Sequence, residues 1–435
     1  MPLFLKLGTC LFSWQKRHVP NFQFPKEKRH VPKFCPQFPL FRIAINHMPF
    51  KILTLNNISV RGLERLPRDR YEVASEIGHP DAILVRSADV HAIEIPPSVL
   101  AVARAGAGTN NIPVAKLSKR GIPVFNAPGA NANAVKELVL SGLFLAARNI
   151  CQAWGYVRDL QGDDHAIEEA VEKGKKKFVG YELPGRTLGV VGLGAIGVEV
   201  ANAALGLRMK ALGYDPQITV QRAWQLSSGV EQALSLDDLF ARSDMITVHV
   251  PLNDATRSLV NEARIRLMPK GAVILNFSRA QIVDEPAVLA ALDSGQLSAY
   301  ICDFPTKACK NHPKVVALPH LGASTGEAEE NCAVMVADTL RDYLEHGNVR
   351  NAVNFPEAVM PRVGGNRVAI ANENVPNMVG QISTCLAAAG LNIADLLNKS
   401  RGDLAYTIID LDAPLDPAVL AQLRSIHGVL SARLV

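Results

Sequence analysis

The stretch Arg186-Thr187-Leu188-Gly189-Val190-Val191-Gly192-Leu193-Gly194-Ala195-Ile196-Gly197 leaves little choice of fold. Its apolar run reads as a buried parallel strand. It breaks at G-x-G-x-x-G into the helix-forming Val198-Glu199-Val200-Ala201-Asn202-Ala203-Ala204. In such a turn Gly192 permits the tight bend, and Gly194 lets backbone approach a pyrophosphate. Gly197 lets helix and strand pack closely, and the helix N-terminus faces the anion. The glycine pattern alone also arises in ordinary strand-to-helix turns. Its context narrows the choice: Lys210-Ala211-Leu212-Gly213-Tyr214 reads as the next strand, with Asp215 at its end. That spacing suits a carboxylate on the ribose hydroxyls of adenosine. A carboxylate there repels a 2′-phosphate, so NAD is favoured over NADP.

The charge balance of +5 hints at nucleic-acid binding, but its distribution argues otherwise. Of 46 Lys and Arg and 41 Asp and Glu, residues 1–47 hold eight and one, which leaves 38 against 40 in the remainder. The basic excess belongs to the N-terminal extension, and no nucleic-acid partner is expected. The chain has 435 residues, 48% hydrophobic and 20% charged, which fits about three globular domains. Seven scattered cysteines with no C-x-x-C read as reduced thiols in a cytoplasmic protein, with no metal site. The apolar run 138–147 is too short to span a bilayer, so no membrane partner is expected.

Residues 1–47 do not read as a domain. Lys16-Arg17-His18-Val19-Pro20 recurs as Lys28-Arg29-His30-Val31-Pro32, and Pro and Phe alternate without helix or strand period. A disordered extension, a mis-assigned start before Met48 and a targeting peptide are the readings open here. From Phe50-Lys51-Ile52-Leu53-Thr54-Leu55 onward, strand and helix signals alternate. Further strands are read at 82–85, 100–105, 122–126, 245–250, 272–277, 297–303 and 315–318, with long helices over 133–148 and 326–345. The stretch 162–177 is polar and Lys-rich. This alternation predicts an α/β fold with doubly wound parallel sheets. After a Pro- and Gly-containing linker, 354–365, the last seventy or so residues read βαββαβ, a ferredoxin-like sandwich.

Several blocks carry a resemblance. They are Arg104-Ala105-Gly106-Ala107-Gly108-Thr109-Asn110-Asn111-Ile112, Gly121-Ile122-Pro123-Val124-Phe125-Asn126-Ala127-Pro128, the glycine turn, and His249-Val250-Pro251-Leu252. Asn276-Phe277-Ser278-Arg279 and Pro319-His320-Leu321-Gly322-Ala323-Ser324-Thr325 complete the set. In this order they resemble the D-2-hydroxyacid dehydrogenases, over about Met48 to Val435. The resemblance implies a topology that spacing does not give: two Rossmann-like domains, the nucleotide domain inserted within the substrate domain. It implies a substrate domain over 48–130 and 319–353, an NAD-binding domain over 131–318, and a C-terminal ACT-like regulatory domain over 366–435.

The residue chemistry agrees with that implication. Hydride transfer from a secondary alcohol needs a base for the hydroxyl proton and a cation for the carboxylate. His320 matches the family's base, and Arg279 the carboxylate partner, where a planar fork suits a bidentate pair. Arg86, beside Ser87, and Arg104 match substrate-loop arginines, and backbone around Ala107 and Gly108 would help hold the carboxylate. Either arginine read alone is also a solvated strand-end charge. Ala195, Ile196, His249, Pro251, Thr256, Phe277 and Asp303 are implied on the cofactor side. The paired arginines and the ACT-like tail point to NAD-dependent oxidation of 3-phosphoglycerate, the entry to L-serine synthesis. The alternatives are a hydroxypyruvate or glyoxylate reductase and a non-catalytic NAD-sensing protein.

The pattern departs from the family in two places. The family pairs its histidine with a glutamate, but here, with a one-residue gap, Asp303-Phe304-Pro305-Thr306-Lys307-Ala308-Cys309 puts Lys307 at that position, so either the acid is missing or another carboxylate replaces it. A lysine beside a catalytic histidine disfavours the imidazolium, so a shifted pH optimum is expected. In the tail, Asn372 and Asn377 replace the histidine and glycine of a serine-binding turn. The resemblance still implies an L-serine effector bracketed by Asn374 and Asn392, with Asn372 adjoining, in a homodimer or homotetramer.

Overall fold

The protein, seen in a computed structural model, is described over residues 49–362 and 365–435; the readings made for the extension 1–47 lie outside these. Three sheets follow one another along the chain. The first is parallel, with order β2-β1-β3-β4-β5. Its strands are β1 (Phe50–Leu55), β2 (Tyr71–Ala74), β3 (Ala82–Val85), β4 (Ala101–Arg104) and β5 (Val124–Phe125). All four residues of Ala-Ile-Leu-Val in β3 are buried, as a strand covered on both faces requires. The strand β2 escaped the sequence reading because its four residues carry only one fully buried position.

The second sheet has seven parallel strands in the order β12-β11-β10-β9-β6-β7-β8. These are β6 (Thr187–Val191), β7 (Lys210–Tyr214), β8 (Val230–Gln232), β9 (Met245–Val248), β10 (Ala272–Asn276), β11 (Leu297–Cys302) and β12 (Val315–Ala317). The strand order, not the strand direction, reverses between β6 and β9, which opens a crevice at the carboxyl ends of the strands.

Two long helices cross between these sheets. Ala132–Arg148 leaves the first sheet and buries Val135, Val139, Leu143 and Ala147 in the core of the second. A Cβ at its Gly142 would lie 2.9 Å from Leu275 Cδ2, so the helix sits close on the strands. Gly326–His346 returns and buries Ala333, Val336, Ala337 and Leu340 against the first sheet. Thr325 caps it, accepting from Ala328 N at 3.1 Å.

The polar stretch 162–177, read only as polar, is helical. Ile150–Arg158 and Asp164–Gly174 are α-helices, and Lys175–Phe178 is a 3-10 turn. Asp163 caps the second by accepting from Ala166 N at 2.9 Å, and Glu169 pairs with Lys173 one turn on. Local caps and a tertiary clasp, Tyr156 Oη donating to Ala170 O at 2.8 Å, order residues with little apolar content.

The third sheet is antiparallel: β13 (Asn366–Glu373), β14 (Ile393–Arg401), β15 (Leu404–Leu411) and β16 (Val429–Leu434), in the order β14-β15-β13-β16. Strand alternation gives it two buried faces. Val368, Ile370, Ile409 and Leu411 pack under the helices Met378–Ala388 and Pro417–Ser425. Ala369, Ala371, Tyr406 and Ile408 join the core of the first sheet, with Tyr343, Leu344 and Phe355.

That second face and residues of the segment read as a linker, 354–365, pack onto the core of the first sheet. Phe355, Ala358 and Met360, within the expected linker, are buried. Arg367, 0% exposed, faces Asp410 across the sheet and donates to its two oxygens at 2.6 and 2.8 Å. Its remaining donors reach the carbonyls of His346 (3.0 Å), Met360 (2.9 Å) and Pro361 (3.0 Å). One guanidinium thus satisfies the end of the returning helix, the connecting segment and the third sheet together.

Candidate active site

The glycine turn behaves as its sterics demand. Gly192 sits at φ +88°, in the left-handed region, and a Cβ there would meet His249 O at 2.6 Å. A Cβ on Gly197 would lie 1.8 Å from Gly192 O, closer than any side chain can come. Gly194, by contrast, faces open space at the N-cap of the helix Ala195–Gly206. The half-buried Ala195 and Ile196 form its first turn. Packing therefore fixes two of the glycines, and the third leaves a cradle at the positive end of a helix.

Asp215 closes one side of this cradle. Its Oδ2 accepts from Leu193 N at 2.8 Å and its Oδ1 from Gln217 N at 2.9 Å. The carboxylate is thus aimed by the turn itself and keeps lone pairs for ribose hydroxyls. On the other side, Thr256 Oγ1 donates to Pro251 O at 2.6 Å and caps the turn from Asn253. His249 Nε2 pairs with Thr247 Oγ1 at 2.9 Å, while its Nδ1 is buried with no partner. Desolvation pushes its pKa down to about 3, so the ring is neutral at physiological pH. The Phe277 side chain points into the core, with its ring edge 3.3 Å from where a Gly142 Cβ would lie. Only its main chain is left to face a ligand.

Asp303 follows β11 and is 1% exposed. Its Oδ2 accepts from Gly322 N at 2.9 Å, and its Oδ1 is buried with no partner. An orphaned acceptor at the carboxyl edge of a dinucleotide-type sheet fits a ligand N–H. With the open face at Gly194, it makes the residues present suited to a nicotinamide dinucleotide.

The substrate side brings three cations together. Arg104 ends β4; its Nε donates to Arg86 O at 3.0 Å and its Nη1 to Gly108 O at 2.5 Å. Arg279 Nη2 lies 2.9 Å from where a Gly108 Cβ would be, so Gly108 admits the guanidinium. Burial lowers the Arg104 pKa, and the charges of Arg279 and Arg86 lower it further. Asn126 Nδ2 donates to Ala107 O at 2.5 Å, holding the loop that carries Ala107 and Gly108. Ser87 N donates to Asn56 Oδ1 at 3.2 Å, which fixes the loop after β3.

His320 sits at φ +56°, an uncommon conformation for a non-glycine residue, and is exposed. Its ring packs on Phe304, with centroids 5.2 Å apart. Among the described residues it forms no hydrogen bond to a carboxylate. Lys307 is exposed, and the loop around it is closed by Cys309 N donating to Thr306 Oγ1 at 3.2 Å. Asn276, which sequence reasoning gave no role, links the two halves of the site. Its Nδ2 donates to Arg279 O (2.9 Å), its Oδ1 accepts from Ser278 N (3.1 Å), and its carbonyl accepts from Asp303 N (3.2 Å). The signal was present: a buried amide ending the all-apolar Ala-Val-Ile-Leu-Asn must find partners. Glu329 was also missed; its Oε1 accepts from Arg86 Nη2.

The tail residues lie at both ends of the third sheet. Asn372 is buried, donating to Glu373 O at 2.7 Å and accepting from Thr407 Oγ1 at 3.3 Å. Asn374 donates to Gly402 O at 2.9 Å, beside Leu404 at one end of β15. Asn392 precedes the Ile393–Leu411 pair at the other end. They lie the length of β15 apart, roughly 25 Å, and do not bracket a ligand within one chain. Among the described residues no group of His, Cys, Asp or Glu could hold a metal ion, and no helix is long and apolar enough to cross a membrane. Cys151, Cys302, Cys309, Cys332 and Cys385 are free thiols.

A dinucleotide-type cradle, a cluster of arginines and a histidine after the last strand of the same sheet fit a nicotinamide-dependent dehydrogenase. Residues 140–322 match the model of the D-isomer specific 2-hydroxyacid dehydrogenase NAD-binding domain. D-3-phosphoglycerate dehydrogenase of Escherichia coli K12 is 33% identical over 341 residues, 75% of this chain and 79% of that protein. The enzyme of the same name from Mycobacterium bovis is 34% identical over 409 residues, 91% of this chain and 70% of that one. Among solved structures, NAD+-bound 3-phosphoglycerate dehydrogenase of Entamoeba histolytica superposes with a TM-score of 0.54 at 26% identity, covering 70% of this chain and 99% of that one. The chain belongs to the D-isomer specific 2-hydroxyacid dehydrogenase family, and its cofactor is NAD.

Proposed function

We propose that the protein oxidises 3-phosphoglycerate to 3-phosphooxypyruvate, the first step of L-serine synthesis. The observation that carries this reading is that Arg104 and Arg279 meet at Gly108, with Arg86 beside Arg104. Three cations in one pocket suit a substrate with an anion at each end better than a small unphosphorylated hydroxy acid. Arg279 holds the carboxylate and polarises the forming carbonyl, aided by backbone N–H groups around Ala107 and Gly108. Arg86, Arg104 and the side chain of Ser87 take the phosphoryl end. NAD, when bound, supplies the hydride acceptor. His320 takes the hydroxyl proton as the C2 hydrogen leaves with its electron pair. Gly192, Gly194, Ala195, Ile196, Gly197, Asp215 and Thr256 hold the dinucleotide, and Asp303 orients its amide end.

The first sheet with the returning helix would form the substrate domain, the second sheet the NAD domain, and the third an ACT-like effector domain in a cytoplasmic homodimer or homotetramer. Since Asn374 and Asn392 lie at opposite ends of one sheet, an L-serine site would draw them from two copies. Equilibrium dialysis with L-serine against an Asn374→Ala variant tests that arm. The central test is NADH formation with 3-phosphoglycerate against unphosphorylated hydroxy acids. A preference for the latter would overturn the substrate assignment. NAD binding without turnover would favour a non-catalytic NAD sensor, the reading that the unpartnered His320 supports.

A further inference from the structure

The returning helix brings one carboxylate against Arg86. Glu329, in its first turns, accepts from Arg86 Nη2, and Cys332, one turn on, faces Arg86 and Arg104. The chemistry of the pocket has no evident use for this anion, since the substrate is itself anionic at both ends. The main chain of Arg86 is fixed: its carbonyl accepts from Arg104 Nε at 3.0 Å and Asn111 Nδ2 at 3.4 Å. Only the Arg86 side chain is left to exchange partners. Both side chains of the pair are 38% exposed, so solvent and solutes reach it.

We propose that Glu329 is a specificity-determining residue, an internal competitor that occupies Arg86 in the empty enzyme and must be displaced or shared by the substrate's phosphoryl group. This rests on the reading of Arg86 as a phosphoryl partner. A carboxylate and a phosphate are both acceptors, so beside one guanidinium they compete for its donors and repel each other. A ligand anchored only by its phosphate is turned away. A ligand also held at its carboxylate by Arg279 has the second anchor that lets it prevail. Glu329 thus lowers affinity for any phosphoryl group at Arg86, and a ligand with the second anchor binds well in spite of it while phosphate itself does not.

Steady-state kinetics of the full chain with 3-phosphoglycerate, with D-glycerate, and with inorganic phosphate as inhibitor test this. Glu329→Gln should lower the KM for 3-phosphoglycerate and the inhibition constant of phosphate by roughly three- to ten-fold, with kcat not increased and the KM for D-glycerate unmoved. Glu329→Asp, which keeps the charge, should return both constants toward the wild-type values. Glu330→Gln is the control, because Glu330 pairs with Arg61 at 3.0 Å instead. Unchanged constants for phosphate and 3-phosphoglycerate in Glu329→Gln, or an equal change for D-glycerate, would overturn the proposal. Arg86→Ala separates the two readings. If it weakens phosphorylated and unphosphorylated substrates alike, the assignment of Arg86 fails; if it weakens only the phosphorylated one while Glu329→Gln is silent, the role of Glu329 fails alone.

Discussion

The site edge of the second sheet is built in two ways. At the turn after β6, geometry follows from sterics within a dozen residues: Gly192 bends, Gly197 avoids Gly192 O, and Gly194 stays open. At the loops after β11 and β12, geometry depends on distant partners. Asp303 is held by Gly322, and His320 stands at positive φ against Phe304. Backbone recognition of a phosphate is a local property of a chain. A general base is a property of a constellation, and in this chain the expected glutamate is not part of it.

The largest effects should come from the steric turn. Gly197→Ala places a Cβ where Gly192 O already is, so about 3 kcal/mol or more of stability should be lost along with NAD binding, read by thermal unfolding and NAD fluorescence titration. Gly194→Ala should leave the melting temperature unmoved and still weaken NAD, because the open space there is the ligand's. Equal loss of stability in both variants would break the contrast.

At the other edge, His320→Asn should reduce kcat by roughly 10²- to 10⁴-fold while NAD affinity and melting temperature hold. A drop in stability of similar weight would make His320 a structural residue of its loop.

His249 yields a smaller, pH-dependent effect. Its pKa falls from 6.5 to about 3 on folding, so the unfolded chain takes the proton more readily. Its contribution is fully present above 6.5 and is lost as pH falls toward 3, by up to about 1.4 kcal/mol per pH unit. Denaturant melts of wild type and His249→Gln between pH 4 and 7 should diverge in that sense, with wild type losing more on the acid side. The smallest effect is expected at Lys307. Because it is exposed, Lys307→Ala should leave the pH profile of oxidation unchanged, and a clear shift would restore it to the neighbourhood of His320.

Legibility follows the same division. Six of the seven strands of the second sheet could be read because parallel strands buried on both faces are continuous apolar runs, as in Met-Ile-Thr-Val and Ala-Val-Ile-Leu-Asn, whereas the largely exposed β8 was not. The βαββαβ order of the tail could be read from its alternation. The helix Asp164–Gly174 could not, because it is ordered by a cap, an ion pair and a tyrosine clasp, with only Gly174 buried. Asn276 and Glu329 were missed for a related reason: one acts through hydrogen bonds to backbone of its own loop and of the loop at Asp303, the other through a partner 243 positions away.

Taken alone, the sequence determined the dinucleotide turn, its carboxylate Asp215 and the α/β alternation, since each rests on backbone sterics or on burial pattern over a few residues. Only the tertiary structure decided that the tail is not tethered loosely but locked by Arg367, and that Arg86 already has an anionic partner. Both depend on charged groups brought together from far apart in the chain, where what matters is which donors and acceptors remain unpaired, and no local pattern records that.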